Sequence, residues 1–227
     1  MQRRQFLQTS ALATALLGGM PLSATAKSAK GKVVVIGGGY GGATAAKYLR
    51  LFSNNTARVT IIEPNPEFIS CPMSNLVVGG SRKLSELTVS YDGLSKRHGI
   101  KIVKDSVINI DAAKQTVQLA SGKTMRFDKV VLSPGIGLMM DSVQGLAQAN
   151  QAGITLQAWK AGPETVALHN QIAAMREGGV YAITIPEAPY RCPPGPYERA
   201  CQVASYLQKA KPKSKVVIFD ANDDIQS

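Results

Sequence analysis

The chain has 227 residues, of which 44% are hydrophobic, and it carries a formal net charge of +11. This length allows one large domain or two small domains with a buried core. The basic balance suits either an acidic protein partner or a scattered basic surface, whereas nucleic-acid binding is disfavoured because no dense Lys/Arg run with interleaved aromatic residues occurs.

The first 26 residues resemble a targeting segment rather than part of the fold. Arg3 and Arg4 give a basic start, an apolar stretch follows from Ala11 to Met20, and Ala24-Thr25-Ala26 forms a small-residue cleavage site. The run that begins at Arg3 resembles the twin-arginine export signal. Because the apolar stretch is too short for a membrane span and no later stretch is longer, we expect a soluble, periplasmic mature chain from about Lys27.

The stretch from Lys32 to Glu63 has the order strand, glycine turn, helix, strand. A continuous apolar run, VVVI, is typical of a strand buried on both faces, and it leads into a G-x-G-x-x-G pattern. A helical pattern follows from Ala43 to Leu51, and a second apolar run ends at Glu63. This order predicts a dinucleotide site in which Gly37 permits the tight turn, Gly39 lets the backbone approach a pyrophosphate, and Gly42 packs the helix on the strand. Glu63 is placed to accept a hydrogen bond from a ribose hydroxyl.

In the middle of the chain, the sequence predicts mostly loops and short strands. A loop after Glu63 holds Cys71, short β patterns follow Ile100, and a further strand leads to the turn at Gly135. The glycine and glutamine content of residues 143–150 indicates a linker. A helical pattern lies between Trp159 and Gly179, with apolar residues at helical spacing that suit a core.

A second β-α-β unit begins at Gly179. The pattern predicts a strand from Val180 to Ile185, a helix from Tyr197 to Ala210 with Pro196 in its first turn, and a strand from Lys215 to Asp220. A unit that stops on its second strand leaves a sheet edge and a face uncovered. We therefore expect this chain to be the N-terminal part of a longer protein.

The residues outside the glycine motif leave several alternatives open. Cys192 lies between prolines near a predicted helix start, a position that favours a thiolate, although a disulfide with Cys201 is conceivable and Cys201 is otherwise expected in the core. Glu198 suits either an acid–base role or simple complementation of the helix dipole. His98 and His169 are isolated, so no metal site is expected.

Several motifs together resemble the flavoprotein subunit of flavocytochrome c sulfide dehydrogenase, a branch of the disulfide-reductase-like flavoproteins that includes sulfide:quinone reductases. They are VVVIGGGYGGATAAKYLR, SCPMSN, FDKVVLSPG, AWKAG and, most specifically, PYRCPPGPYERA. The resemblance implies an α/β fold of FAD/NAD(P)-binding, Rossmann-like doubly wound domains. It places a signal peptide at residues 1–26, part of an FAD-binding domain at residues 27–150, and the start of a second, NAD-binding-like domain at residues 151–227.

The resemblance also implies roles for individual residues. Gly37, Gly39, Gly42 and Glu63 would hold FAD, and Cys71 would attach the flavin through a thioether. Cys192 would be one sulfur of a redox-active disulfide beside the flavin, with Glu198 as a nearby proton acceptor. Hydrosulfide would attack that disulfide, and electrons would pass through FAD to a c-type cytochrome on a separate subunit, since no C-x-x-C-H haem motif occurs in this chain.

Two other readings remain open at this level. One is a sulfide:quinone reductase or an NAD(P)H-dependent flavin reductase of the same fold. The other is an inactive fragment that binds a nucleotide at most, because the partner of Cys192 and the rest of the flavin domain would lie beyond Ser227.

Overall fold

The computed structural model describes residues 31–225, so the predicted export signal lies outside the described residues. Its first sheet has four parallel strands, which lie side by side in the order Lys101–Val103 (β5), Arg58–Ile62 (β2), Lys32–Ile36 (β1) and Lys129–Leu132 (β9). β1 is central in this sheet, which places the turn that follows it at the carboxyl edge between two neighbouring strands.

Both faces of β1 are covered, as its continuous apolar run predicts. Val33 and Val35 point to one face, where they pack with Ala46 of helix α1 (Tyr40–Phe52), with Ile100 and with residues of β2. Helix α3 (Asp92–His98) lies on the same face and contributes Leu94. Val34 points to the other face, because successive strand residues alternate.

An antiparallel meander covers that second face. It consists of β6 (Val107–Asp111), β7 (Thr116–Leu119) and β8 (Thr124–Arg126). Val117 and Leu119 of β7 pack with Val34, Ile62 and Phe127 in a second core cluster.

A short excursion connects β2 to α3. β3 (Glu67–Ile69) pairs antiparallel with β4 (Thr88–Ser90), and between them lie helix α2 (Ser74–Val78) and a 3₁₀ turn (Leu84–Leu87). Four of the five α2 residues are buried although the helix is short. This burial arises because α2 packs against the C-terminal part of the chain.

The C-terminal part holds a parallel pair of strands, β10 (Val180–Ile185) and β11 (Lys215–Asp220), joined by helix α6 (Gly195–Ala210). Helix α5 (Pro163–Ala174) packs beside α6. Their shared core contains Leu168, Ile172, Val203, Leu207 and, from α2, Val78. The second β-α-β unit is therefore confirmed with both strands at the predicted bounds, and Pro196 lies in the first turn of α6 as expected.

Three sequence predictions need correction. Residues 143–150 are not simply a linker, because helix α4 (Leu146–Gln151) follows a 3₁₀ turn (Met140–Ser142) there. Helix α1 begins three residues before its predicted start, since Gly39 serves as its N-cap. Cys201 is exposed rather than part of the core, because the buried face of α6 follows Arg199, Val203 and Leu207 at four-residue intervals, and position 201 points away from them. The boundary at residue 150 between two domains stays a prediction.

No helix within residues 31–225 combines the length and the apolarity that crossing a membrane requires.

Candidate functional site

Two glycines of the turn after β1 are fixed by steric contact. Gly37 has φ +95°, and a Cβ there would lie 2.0 Å from the carbonyl oxygen of Ser133. A Cβ on Gly42 would lie 1.9 Å from the carbonyl oxygen of Gly37. Both clashes are with backbone atoms, which cannot move away as a flexible side chain could. Gly37 is therefore required for the turn, and Gly42 for the packing of α1 on the strand.

Gly39 differs from the other two. A Cβ at this position would meet no protein atom within 4 Å, and the backbone there has φ −68°, which other residues adopt. Gly39 is the N-cap of the 13-residue helix α1, and no described side chain caps the helix N-terminus. Open space above an uncapped helix N-terminus fits the close approach of a pyrophosphate to free N–H groups, so these residues fit a dinucleotide.

Glu63 lies at the end of β2, beside the glycine turn, and is only 8% exposed. Its Oε2 accepts a hydrogen bond from the backbone N–H of Gly38 at 2.8 Å, and its Oε1 accepts one from the N–H of Asn65 at 2.9 Å. The carboxylate is thus held at the turn, where a ribose would lie. Tyr91 also contacts this turn, because a Cβ on Gly38 would lie 2.6 Å from its hydroxyl oxygen. Burial, assisted by the charge of Glu63, raises the pKa of Tyr91 to about 12.

Tyr40, the first residue of α1, connects the glycine turn to the segment that carries Cys71. Its hydroxyl is 2.6 Å from Oγ of Ser70, and its ring meets the ring of Phe68 edge-on at 4.8 Å. Cys71 follows directly, is half-buried, and donates a hydrogen bond from Sγ to the carbonyl oxygen of Trp159 at 2.8 Å. The dinucleotide turn and the first candidate cysteine are therefore separated by one hydrogen-bonded side-chain pair.

Cys192 lies just before α6 with its side chain exposed and with φ +55°, a left-handed conformation that non-glycine residues rarely adopt. Its carbonyl oxygen accepts a hydrogen bond from the N–H of Gly195 at 2.9 Å. A Cβ on Gly195 would lie 3.4 Å from Sγ of Cys192 and 3.7 Å from the ring of Trp159. Trp159 therefore accepts the hydrogen bond of Cys71 through its carbonyl, and its ring lies, like Cys192, beside Gly195.

A buried polar network underlies the two cysteines. Asn75 of α2 donates from Nδ2 to Oε2 of Glu198 at 3.1 Å, and its Oδ1 accepts from Nε of Arg199 at 3.1 Å. Arg199 also donates from Nη2 to the carbonyl oxygen of Ala158 at 3.0 Å, and its guanidinium lies 5.7 Å from the centre of the Trp159 ring. The network joins α2, the loop at residues 158–159 and α6, which are distant in sequence.

Burial lowers the pKa of Arg199 below its usual value, and this effect outweighs the opposing influence of Tyr181, Cys71, Glu198 and Cys192. The two cysteines and Glu198 therefore lie within electrostatic range of one buried guanidinium. Sequence reasoning missed Asn75, Trp159 and Arg199. The motifs SCPMSN, AWKAG and PYERA contain these three residues, but none of the motifs indicates a contact across the chain.

The structure thus brings Cys71, Cys192 and Glu198 to one place and joins that place to the glycine turn. It does not bring Cys201 there, and all three cysteines of the chain are free, so the alternative Cys192–Cys201 disulfide is absent. His169 instead contacts the carbonyl of Val78 through Nδ1 at 3.1 Å. Within residues 31–225, no group of three or more His, Cys, Asp or Glu side chains is arranged to hold a metal ion.

Comparison with known proteins identifies the family of the chain. Residues 31–162 match the family model of the pyridine nucleotide-disulphide oxidoreductases, and residues 165–227 match that of the sulfide dehydrogenase (flavocytochrome c) flavoprotein chain, central part. A mitochondrial sulfide:quinone oxidoreductase of Dictyostelium discoideum is 31% identical over 189 residues, which cover 82% of this chain and 40% of that protein.

A sulfide dehydrogenase (flavocytochrome c) flavoprotein chain of Chlorobaculum thiosulfatiphilum is 52% identical over 46 residues, covering 20% of this chain and 94% of that sequence. Among solved structures, the sulfide:quinone oxidoreductase of Aquifex aeolicus superposes with a TM-score of 0.71 at 24% identity, over 84% of this chain and 43% of that chain. The predicted disulfide-reductase-like α/β fold is confirmed. The chain spans about two fifths of the length of the Dictyostelium relative.

Proposed function

Since this chain belongs to the pyridine nucleotide-disulphide oxidoreductase family, we propose that it forms the FAD- and cysteine-bearing part of a flavoprotein that oxidises sulfide. The observation that carries the proposal is the convergence of Cys71 and Cys192 on Trp159, next to a turn built for a dinucleotide. The relatives whose names contain sulfide dehydrogenase or sulfide:quinone oxidoreductase support the choice of substrate.

In this proposal the glycine turn holds the pyrophosphate of FAD. Gly37 and Gly42 set the backbone, Gly39 leaves room for the phosphates, and Glu63 accepts a hydrogen bond from the adenosine ribose. Cys71 would be the residue that holds the flavin through a thioether, in place of its hydrogen bond to Trp159. FAD, when bound, supplies an acceptor for an electron pair and a donor of single electrons.

Cys192 is the residue proposed to meet the sulfur substrate. When its sulfur is oxidised in a disulfide, hydrosulfide attacks, a new sulfur–sulfur bond forms, and the displaced cysteine leaves as a thiolate that carries the electron pair of the broken bond. Glu198, which is exposed and hydrogen-bonded to Asn75, is the carboxylate that would accept the proton of the hydrosulfide. The exposed position of Cys192 gives a small nucleophile access to it.

The electron acceptor in this proposal is a c-type cytochrome subunit, and the location is the periplasm after export by the twin-arginine route. The similarity to the flavocytochrome c flavoprotein chain and the Arg3-Arg4 segment support these two points. Without Arg3 and Arg4 of the export signal the net charge is +11 − 2 = +9, which is compatible with electrostatic docking of an acidic partner. The similarity to sulfide:quinone oxidoreductases favours a quinone as the second candidate acceptor.

The test uses the native protein in the form that the cell makes. We expect sulfide to drive reduction of a c-type cytochrome, and we expect Cys192→Ser to abolish that activity while the protein keeps its flavin. Cys201→Ser, which removes the exposed thiol on the same helix, is the matched control and should retain full activity. Reduction of a quinone analogue but not of cytochrome would favour the second candidate. Bleaching of the flavin by NAD(P)H and not by sulfide would contradict the proposal.

A further inference from the structure

Arg199 is a buried cation whose hydrogen-bonding capacity is only partly used. It is 7% exposed, and within the described part of the chain it forms no ion pair with a carboxylate. Nε and Nη2 donate to neutral oxygens of Asn75 and Ala158. Nη1 donates to no acceptor among residues 31–225. A guanidinium has five N–H donors in a fixed plane, and a buried charge is costly without an anionic partner.

The surroundings of Arg199 indicate what that partner is. Arg199 lies one turn after Gly195 on the same face of α6. A Cβ built on Gly195 would lie 3.4 Å from Sγ of Cys192. Arg199 also donates to the carbonyl oxygen of Ala158, the residue before Trp159, and the carbonyl of Trp159 accepts the hydrogen bond of Cys71. Glu198 is the nearest carboxylate in sequence, but it is exposed, so water screens its charge more than that of the buried guanidinium. The buried guanidinium is therefore a fixed positive charge beside Trp159, the residue whose carbonyl accepts from Cys71.

We call the group formed by Cys71, Asn75, Trp159, Cys192, Glu198 and Arg199 the cysteine cleft. We propose that Arg199 is its anion-binding residue, and that its positive charge and free Nη1 donors hold the anionic sulfur species that reacts at Cys192. This inference rests on the proposed function, because it names the group that would bind hydrosulfide and a cysteine persulfide. A fixed cation stabilises an anion without reorganising. The hydrogen bonds from Arg199 to Asn75 and Ala158 hold the guanidinium in position.

A purely structural role for Arg199 would predict something different. If the residue only tied α6 to α2 and to the loop at residues 158–159, its charge would not influence which reagents react at Cys192. Both roles predict lower stability on substitution, so stability cannot separate them. The charge preference of the Cys192 reaction can.

The experiment measures how fast reduced native protein reacts with two methanethiosulfonates of similar size, the anionic sulfonatoethyl and the cationic trimethylammonioethyl reagent. Each forms a mixed disulfide and releases methanesulfinate, and peptide mass mapping resolves Cys192 from Cys201. In the wild-type protein we expect the anionic-to-cationic rate ratio at Cys192 to exceed that at Cys201 by about fivefold or more. We expect Arg199→Gln to remove this difference, and Arg199→Lys to retain most of it.

Lys209→Gln is the matched control, because it removes the same charge from the exposed end of the same helix, and it should leave the ratio at Cys192 within about twofold of wild type. Equal ratios at the two cysteines of the wild-type protein would overturn the inference, and this measurement needs no variant that must fold. An unchanged ratio in folded Arg199→Gln would overturn it as well. Because neither readout uses sulfide or flavin, failure of sulfide to reduce the flavin would contradict the proposed function while leaving this result to be judged separately.

Discussion

The two parts of the candidate site are built in different ways. The glycine turn is specified by residues close together in sequence, and its decisive contacts are backbone clashes that only glycine avoids at Gly37 and Gly42. The cysteine cleft is specified by side chains from α2, the loop at residues 158–159 and α6, held by hydrogen bonds to Asn75 and Arg199. The first part tolerates almost no change of shape, whereas the second depends on charge and on hydrogen-bond partners.

The glycine turn gives the largest expected effect. Gly42→Ala should lower the free energy of unfolding by about 3 kcal/mol, because the new methyl group would overlap the carbonyl oxygen of Gly37. Gly39→Ala is the matched variant: its methyl group meets open space, so stability should change by less than about 1 kcal/mol while the incorporation of FAD falls. Urea denaturation and flavin content measure the two effects. Equal losses of stability in both variants would remove the distinction between a packing glycine and a ligand-approach glycine.

The cysteine cleft gives the next largest effect. Asn75→Ala should lower the free energy of unfolding by about 2 kcal/mol, because it leaves Nε of buried Arg199 without an acceptor and Glu198 without a donor. Asn109→Ala, at an exposed position of β6, provides the control and should stay within about 0.5 kcal/mol of wild type. Chemical denaturation of the three proteins tests this. A small effect of Asn75→Ala would mean that water replaces the amide at little cost and that the cleft is looser than the contacts indicate.

Tyr91 allows a pH test of the glycine-turn part. Its pKa is raised from 10.0 to about 12, so the folded protein holds the phenolic proton more tightly than the unfolded chain does. The stability gained in this way is fully present below pH 10 and is lost as the pH rises from 10 to 12. Tyr91→Phe should therefore weaken the fall in stability over that range, measured by urea denaturation at each pH.

Tyr48→Phe is the control for that measurement, since Tyr48 is 45% exposed on α1 and should not alter the pH dependence. If Tyr91→Phe and wild type lost stability in parallel between pH 10 and pH 12, the phenol would not be sequestered at the turn.

Cys201→Ser gives the smallest expected effect. The thiol is exposed on α6 and is not bonded to Cys192, so the melting temperature should hardly change. A thermal melt under oxidising and reducing conditions measures this. A marked loss of stability confined to oxidising conditions would indicate that Cys201 takes part in a disulfide after all.

Features specified by residues close together in sequence could be predicted, whereas contacts between residues distant in sequence could not. Apolar runs identified β1, β10 and β11 nearly to the residue, because hydrophobic periodicity is a local property. Helix α4 was missed because its glycine and glutamine content resembles a linker, and Cys201 was assigned to the core because its position on α6 depends on which face packs. Arg199 and Asn75 could not be paired from sequence, since their contact exists only after α2 docks on α6.

The most direct test of the central claim is an anaerobic titration of the native, flavin-loaded protein with sulfide, followed by the main visible absorption band of the flavin, in wild type and in Cys192→Ser. We predict that sulfide bleaches the band in the wild-type protein and that Cys192→Ser, with its flavin retained, stays oxidised. Equal bleaching in the two proteins would contradict the account, because electrons would then reach the flavin without passing through the cysteine that the structure places beside Trp159 and Arg199.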